Sequence, residues 1–181
     1  MPKLRLIGMT GLAGSGKSEV AKILERKLNT TTVSFATPLK AMLSVLVPPG
    51  TLKTDKPPVL CGKTYREALQ TLGTDWGREM IGGNIWCNAA MNTVDRLWEV
   101  APAQVIIIDD VRFDNEAQAV IQHGGIVIGI ERPGLTAMNH ASEAGVSESL
   151  KYGTIMNDGT LQELEEAIDY LLGDYERDAD Y

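Results

Sequence analysis

An eight-residue stretch, Gly11 to Ser18, constrains the fold of this chain more than any other, because it reads GLAGSGKS and completes the pattern GxxxxGK[ST]. An apolar run over Leu4–Met9 precedes it, and apolar residues follow at helical spacing at Val20, Ile23, Leu24 and Leu28. A strand, a glycine loop and a helix in this order let backbone N–H groups wrap a polyphosphate at the positive end of the helix. These flanks argue against a chance glycine turn, so the sequence predicts a nucleoside triphosphate site.

Two side chains of the loop have predicted roles in this site. The Lys17 ammonium is expected to reach the β- and γ-phosphates of ATP, and the Ser18 hydroxyl to bind the accompanying Mg²⁺. The residues of this stretch that are predicted to contact the donor nucleotide are Gly11, Ala13, Gly14, Ser15, Gly16, Lys17, Ser18 and Glu19.

Composition narrows the class of protein further. At 181 residues and 44% hydrophobic content, the chain fits one α/β domain with inserted segments. The formal net charge of −7 argues against non-specific nucleic-acid binding, which needs a basic face. Since no apolar run approaches the ~18 residues of a membrane span and no leader precedes the first strand, we expect a cytoplasmic protein without membrane partners. Cys61 and Cys87 are expected to be structural thiols, and the sequence leaves homodimer formation open.

Five apolar segments alternate with helical patterns or longer insertions, which predicts a five-stranded parallel sheet with helices on both faces. The unbroken β-branched run at residues 105–108 is typical of a strand buried on both faces, so it is expected in mid-sheet beside the first strand. The predicted strands are Leu4–Met9, Thr32–Phe35, Val105–Asp109, Ile126–Glu131 and Thr154–Met156.

Helix starts and irregular segments are also marked in the sequence. Capping boxes at residues 64–67 and 160–163 predict two helix starts, and Asp114 is expected to cap a third helix. A proline-rich stretch at residues 47–63 predicts a flap. The acidic residues after the last apolar stripe predict a frayed tail at 174–181.

Cationic side chains in the middle of the chain predict a site for a second phosphate group. Arg66 and Gln70 lie one helical turn apart, and Arg78 follows the segment Gly73–Gly77, which we predict to break the helix. Such a break would let the two guanidinium groups converge. Together with Lys40 they would bind phosphate oxygens, since arginine pairs bidentately with phosphate. Solvated surface arginines are the alternative.

The sequence Asp109-Asp110-Val111-Arg112 closes the central predicted strand, where an open α/β sheet places its ligands. Because side chains alternate along a strand, one of the two carboxylates is expected to face the loop. We favour Asp110 as the Mg²⁺ ligand opposite Ser18, with Asp109 capping or bonding to the acceptor. A strand-end turn is the alternative for either carboxylate. Arg112 is expected to span the donor and acceptor phosphates, so the predicted catalytic residues are Lys17, Arg112 and Asp110.

Several motifs occur together beyond the phosphate loop. They are SFATPLK at residues 34–40, RxxLQxxGTxxGR at 66–78, Trp86, DVRFxNE at 110–116 and NDGTL at 157–161. In this combination the chain resembles the phage-type deoxynucleoside monophosphate kinases, of the adenylate-kinase-like branch of P-loop kinases. The resemblance runs from about residue 4 to residue 172 and is more specific than the phosphate loop alone.

The resemblance implies transfer of the γ-phosphoryl group from ATP to a deoxynucleoside monophosphate (dNMP), with Mg²⁺ as cofactor. It assigns to the acceptor Lys40, Arg66, Gln70, Arg78, Asn84 and Trp86, although a core role explains Trp86 equally well. It assigns to the adenine side of ATP Arg132, Asn157, Asp158, Gly159 and Thr160. The corresponding regions are a core of residues 3–35 and 103–173, an acceptor-binding region of 36–100 and a lid of 133–151.

One departure and two alternatives accompany this interpretation. Lids of adenylate-kinase-like enzymes often donate arginines to the transferring phosphoryl group, yet residues 133–150 contain none, and His140 is expected to be a surface residue. A P-loop kinase of another phosphorylated acceptor, such as dephospho-coenzyme A or phosphomevalonate, is one alternative. A nucleotide-gated switch is the other, although the sequence lacks the Asn-Lys-x-Asp motif that reads guanine.

Overall fold

A single parallel sheet organises the molecule, and the computed structural model describes residues 4–135 and 145–178. The strand order is β2-β3-β1-β4-β5, with β1 at Leu6–Thr10, β2 at Thr30–Val33, β3 at Val105–Ile108, β4 at Ile126–Glu131 and β5 at Gly153–Met156. The α-helices are α1 (Lys17–Lys27), α2 (Thr37–Ser44), α3 (Tyr65–Thr71), α4 (Ile85–Val100), α5 (Asp114–Gln122) and α6 (Leu161–Asp178). A π-helix covers Leu72–Ile81, and two 3₁₀ turns cover Pro58–Leu60 and Glu148–Leu150.

Two layers of helices bury this sheet, which confirms the predicted α/β fold. Val120 of α5 packs with Ile106 in the cluster on one face, and Leu24 of α1 packs with Ile107 and Ile168 on the other. Every residue of β1 and β3 is buried, and β3 pairs directly with β1, as the β-branched run predicts. The carboxyl ends of these two strands therefore lie side by side.

The second strand lies two residues earlier than predicted. It covers Thr30–Val33, and the chain turns at Ser34 instead of extending to Phe35. The cause is tertiary, because the Phe35 N–H donates to the Asp110 Oδ1 atom at 2.8 Å and the Ser34 hydroxyl donates to Oδ2 at 2.6 Å. The carboxylate that follows β3 thus ends β2.

The predicted helix break at Gly73–Gly77 is wrong, because α3 runs without interruption into the π-helix. The Trp86 indole N–H donates to the Gly73 carbonyl at 2.8 Å, and the ring packs directly on Gly77. The wider π-helical turn lets the chain continue past this indole. Arg78 therefore lies within a continuous helix, and the wider turn sets the direction of its side chain.

The last helix extends into the segment predicted to be a frayed tail. α6 continues through Gly173 to Asp178, and the Tyr175 ring packs edge-on against Tyr152 with centroids 5.7 Å apart. This aromatic contact anchors the final turns to the segment before β5. The expected frayed tail from residue 174 is therefore helical as far as residue 178.

Within residues 4–135 and 145–178, no helix combines the length and the apolar character needed to cross a membrane. Cys61 is exposed and Cys87 is buried, and both are free thiols. Burial raises the pKa of the Cys87 thiol to about 11. A thiol with that pKa stays protonated near neutral pH, as expected for a structural cysteine.

The contact between Gly77 and Trp86 predicts the effect of a single methyl group. Gly77→Ala would drive a Cβ atom into the indole, so we expect the free energy of unfolding to fall by about 1–3 kcal/mol. Gly83→Ala is the matched control, because apart from its chain neighbours no atom of the described residues lies within 4 Å of an added Cβ there. Urea denaturation measures both variants, and equal effects would contradict the packing described here.

Candidate active site

The glycine loop joins the carboxyl end of β1 to the N-terminus of α1. Gly16, the residue before α1, has φ 107°, a left-handed conformation that favours glycine. The Ser15 side chain is buried, and its hydroxyl has no hydrogen-bond partner among the described residues. A helix N-terminus beside an unpartnered buried hydroxyl fits an anionic ligand.

Lys17 is the most strongly held side chain of the loop. Its ammonium donates to the Gly11 carbonyl at 2.6 Å and to the Leu12 carbonyl at 2.9 Å. Burial, with a further contribution from Arg112, lowers the pKa of Lys17, while Asp109 and Asp110 oppose that shift. The ammonium is thus partly desolvated and fixed at the mouth of the loop, where phosphate oxygens could replace neutral carbonyl partners.

A cavity of about 630 Å³ opens beside the loop, within the size range of nucleotide-sized ligand sites. Lys17 and Ser18 line it, together with residues 109–112 after β3. Arg132 and Lys151 line it from the side of β4 and β5. Glu19 does not line it: its carboxylate pairs with Lys22 at 3.3 Å on the surface.

Asn157 ties the predicted adenine loop to the phosphate loop. Its side-chain amide donates to the Ser15 carbonyl at 2.8 Å, and its backbone N–H donates to the Glu131 carbonyl at 2.7 Å. Thr160 is engaged in the predicted capping box with Glu163, so its hydroxyl already has a partner. The structure therefore brings Asn157 to the loop as a brace, while Asp158 and Gly159 are exposed.

The two strand-end aspartates have different surroundings. Asp110 accepts three hydrogen bonds from the turn at residues 34–36, from the Ser34 hydroxyl and the Phe35 and Ala36 N–H groups, at 2.6, 2.8 and 3.2 Å. Asp109 is half-buried in the cavity, and burial raises the pKa of its carboxyl. Asp110 raises that pKa further, while Lys40 and Lys17 oppose the shift.

The metal-ligand role that the sequence favours for Asp110 stays a prediction, and the contacts of the two side chains make Asp109 the more available carboxylate. Both oxygens of Asp110 already hold the 34–36 turn. The charges of Lys17 in the loop and of Lys40 on α2 both act on the Asp109 carboxyl. Alternation along a strand could not decide between them, because β3 ends at Ile108, before both aspartates.

A lysine that sequence reasoning missed belongs to the cationic cluster. The Lys53 carbonyl accepts from the Arg66 N–H at 2.9 Å, and the Asp55 carbonyl accepts from the Tyr65 N–H at 2.9 Å. These bonds fasten the turn at residues 52–55 onto the start of α3. Burial lowers the pKa of Lys53, and the nearby charges of Lys40, Arg66 and Arg112 lower it further.

Positive charges on three other segments therefore act on Lys53. Lys40 lies on α2, Lys53 on the predicted flap, Arg66 on α3 and Arg112 after β3. Such mutual repulsion is relieved when an anion binds among the cations. The signal that could have identified Lys53 is a lysine eleven residues before the capping box, although a loop gives no periodicity from which to predict its partners.

Arg78, which the sequence predicts to converge with Arg66 on a phosphate, is held by Glu116 of α5. Its guanidinium donates to the Glu116 carboxylate at 2.6 Å and lies over the Phe113 ring, 4.4 Å from the centroid. Glu116 also accepts from the backbone N–H groups of Arg112 and Phe113, which precede α5. The carboxylate of Asp114, expected to cap this helix, instead accepts from the backbone N–H and the hydroxyl of Ser147.

The other residues predicted to contact the acceptor have different surroundings. Trp86 is 3% exposed and supports the π-helix, which favours its core role, and its assignment to the acceptor stays a prediction. The side-chain Oδ1 atom of Asn84 accepts from the Asn115 side-chain amide at 2.9 Å, which fastens Asn84 to α5. Gln70 lines a separate groove with Leu60 and Trp76, outside the main cavity. Residues 136–144 of the predicted lid, including His140, lie outside the described residues.

Comparisons with known proteins indicate a family of nucleotide kinases. A family model described as "Deoxynucleotide monophosphate kinase" matches residues 62–168. A protein of Acanthamoeba polyphaga mimivirus, provisionally named a deoxynucleotide monophosphate kinase, is 34% identical over 176 residues, which cover 87% of this chain and 91% of that protein. The solved structure of the Mycobacterium tuberculosis APS kinase in complex with AMPPNP and APS is 14% identical, with a TM-score of 0.50. That alignment covers 96% of this chain and 99% of the kinase, and shows a shared fold.

The two aspartates offer a matched pair of substitutions. Asp110→Asn places an amide donor where N–H and O–H groups already donate, so we expect the free energy of unfolding to fall by about 2 kcal/mol. Asp109→Asn removes a carboxylate without breaking a hydrogen bond of that turn, so stability should change by less than about 0.5 kcal/mol. Turnover should nevertheless fall by about 100-fold. Urea denaturation and a turnover assay separate the two, and the reverse pattern would contradict these assignments.

Proposed function

The chain belongs to the deoxynucleotide monophosphate kinase family and is a nucleotide kinase, and from this premise we propose that it phosphorylates dNMPs with ATP. The products would be ADP and the deoxynucleoside diphosphate. The observation that carries the proposal is that two cation-lined regions share Arg112, which lines the cavity beside the glycine loop and whose charge acts on Lys53. One is the glycine loop with Lys17, and the other is the cluster of Lys40, Lys53, Arg66 and Arg112.

On the donor side, the loop residues 11–18 would cradle the ATP phosphates and Lys17 would contact the β- and γ-phosphates. Arg132 would contact adenine or the phosphates from the end of β4, and Asn157 would keep the loop in shape. Residues 157–160 would then line the base through their backbone groups. Residues 36–100 would form the acceptor-binding region.

Mg²⁺ fits the oxygens available in this cavity. Among the described residues no group of three or more His, Cys, Asp or Glu side chains could hold a metal ion. This is compatible with Mg²⁺ bound chiefly through nucleotide phosphates and water, with one or two protein oxygens. Ser18 and Asp109 would supply those oxygens, and the ion would neutralise charge on the phosphates.

On the acceptor side, Lys40, Lys53 and Arg66 would bind the phosphate of the dNMP, with Arg78 at its edge. An ionised oxygen of this phosphate would attack the γ-phosphorus, and the bond from that phosphorus to the β–γ bridging oxygen would break. The electron pair would leave with ADP. Because the nucleophile is already anionic, positioning and charge neutralisation would supply most of the rate, and Arg112 would lie between both phosphates.

The reaction is tested directly by ADP release from ATP and Mg²⁺ in the presence of each common dNMP and NMP. We expect ADP release that depends on at least one dNMP and yields the matching diphosphate. Dephospho-coenzyme A and phosphomevalonate are the control acceptors. Turnover with either control but with none of the nucleotides would contradict the proposal.

Lys53 gives a residue-level prediction on the acceptor side. Lys53→Ala removes one cation of the cluster, so the dNMP KM should rise about ten-fold, or ~1.4 kcal/mol, while the ATP KM stays unchanged. Lys56→Ala, in the same exposed loop, is the matched control and should leave both KM values unchanged. Steady-state kinetics, with the dNMP and ATP concentrations varied in turn, measure both KM values. A rise confined to the ATP KM would move Lys53 to the donor side.

A further inference from the structure

Glu116 is the most deeply buried carboxylate among the described residues, with 2% of its surface exposed. It lies in the first turn of α5, eight residues after the end of β3. In the sequence it is the last residue of the DVRFxNE motif at 110–116. A buried ionised carboxylate is costly unless it is paired and hydrogen-bonded, so its partners indicate why it is there.

The two oxygens of Glu116 hold two different segments. Oε1 accepts from the Arg78 guanidinium at 2.6 Å, across the boundary between the π-helix and α5. Oε2 accepts from the backbone N–H groups of Arg112 at 2.8 Å and Phe113 at 3.3 Å. One side chain therefore joins an arginine of the acceptor-binding region to the backbone of the arginine after β3.

Capping alone does not explain a charged residue here. A glutamine could also accept from the backbone N–H groups of Arg112 and Phe113, without the desolvation cost of a charge. The feature that needs the negative charge is the guanidinium of Arg78. That guanidinium is also stacked on Phe113, so it is fixed on one face and along one edge.

A guanidinium fixed in this way keeps N–H donors free for a ligand. It carries five donors, and the described contact with Glu116 uses its Nη2 atom. The Arg78 side chain is 23% exposed, so part of it is open to solvent. Two-sided fixation reduces the conformational entropy that an arginine loses on binding phosphate.

We propose that Glu116 is a positioning residue that sets the distance between Arg78 and Arg112, and thereby between the acceptor phosphate and the site of phosphoryl transfer. The inference rests on the proposed dNMP kinase function. It adds that Arg78, on the acceptor side, and Arg112, between the two phosphates, are both held by the buried Glu116 carboxylate. Substitution of Glu116 should therefore affect the acceptor and leave the donor unaffected.

The test is a double-mutant cycle on dNMP and ATP kinetics, using Glu116→Gln, Arg78→Ala and the double variant. Glu116→Gln keeps the size of the side chain and an acceptor oxygen, so we expect a dNMP KM about ten-fold higher, with a lower kcat and an unchanged ATP KM. In the Arg78→Ala background the same change should move the dNMP KM by less than about two-fold. Glu166→Gln, the same substitution on an exposed residue of α6, is the control.

A purely structural role predicts a different pattern. The effects of Glu116→Gln and Arg78→Ala on the dNMP KM would then add, or the ATP KM would rise in parallel, and either result overturns the inference. If Glu116→Gln does not fold, Phe113→Leu releases Arg78 from its stacked face and should raise the dNMP KM selectively. An unchanged dNMP KM in that variant would also overturn it.

The wild-type enzyme distinguishes this inference from the proposed function. If it releases no ADP with any dNMP, the proposed function fails, and the inference fails with it. If wild-type turnover depends on a dNMP and the cycle shows additivity, the role of Glu116 alone is wrong.

Discussion

The Asp110 carboxylate accepts three hydrogen bonds from the turn at residues 34–36, and this contact joins the acceptor-binding region to the centre of the sheet. It ends β2 at Val33 and sets where α2 begins, which fixes the location of Lys40. Glu116 makes an equivalent connection from α5 to the π-helix through Arg78. Two carboxylates that follow the buried strand β3 thus fasten two parts of the acceptor-binding region, the turn before α2 and the π-helix.

The same arrangement gathers positive charge in a protein whose net charge is −7. Lys40, Lys53, Arg66 and Arg112 come from separate segments and are close enough to lower the pKa of Lys53. Repulsion of this kind disfavours the folded state unless something compensates it. Hydrogen bonds elsewhere in these segments, such as those that hold the 52–55 turn on α3, offset that repulsion and keep the cations assembled for an anion.

Much of the architecture could be predicted because it depends on local patterns. The loop from Gly11 to Ser18 lies between a strand and a helix, the run at 105–108 occupies a central strand, and both capping boxes form. What the sequence could not predict depends on contacts between distant segments. The π-helix is continuous because Trp86 packs on Gly77, and Asp110 turns to the 34–36 segment because that segment offers three donors. Lys53 joins the cluster through a loop whose path no periodicity indicates.

The central claim is that the two cation-lined regions lie close enough for one phosphate chain to span them. Titration calorimetry with a bisubstrate analogue, in which a pentaphosphate joins adenosine to a deoxynucleoside, measures this directly. The account predicts one analogue bound per chain, with an affinity above that of either nucleotide alone, and no further binding of ATP or dNMP to the saturated protein. A saturated protein that still bound dNMP would show that the acceptor site lies elsewhere, and would contradict the claim.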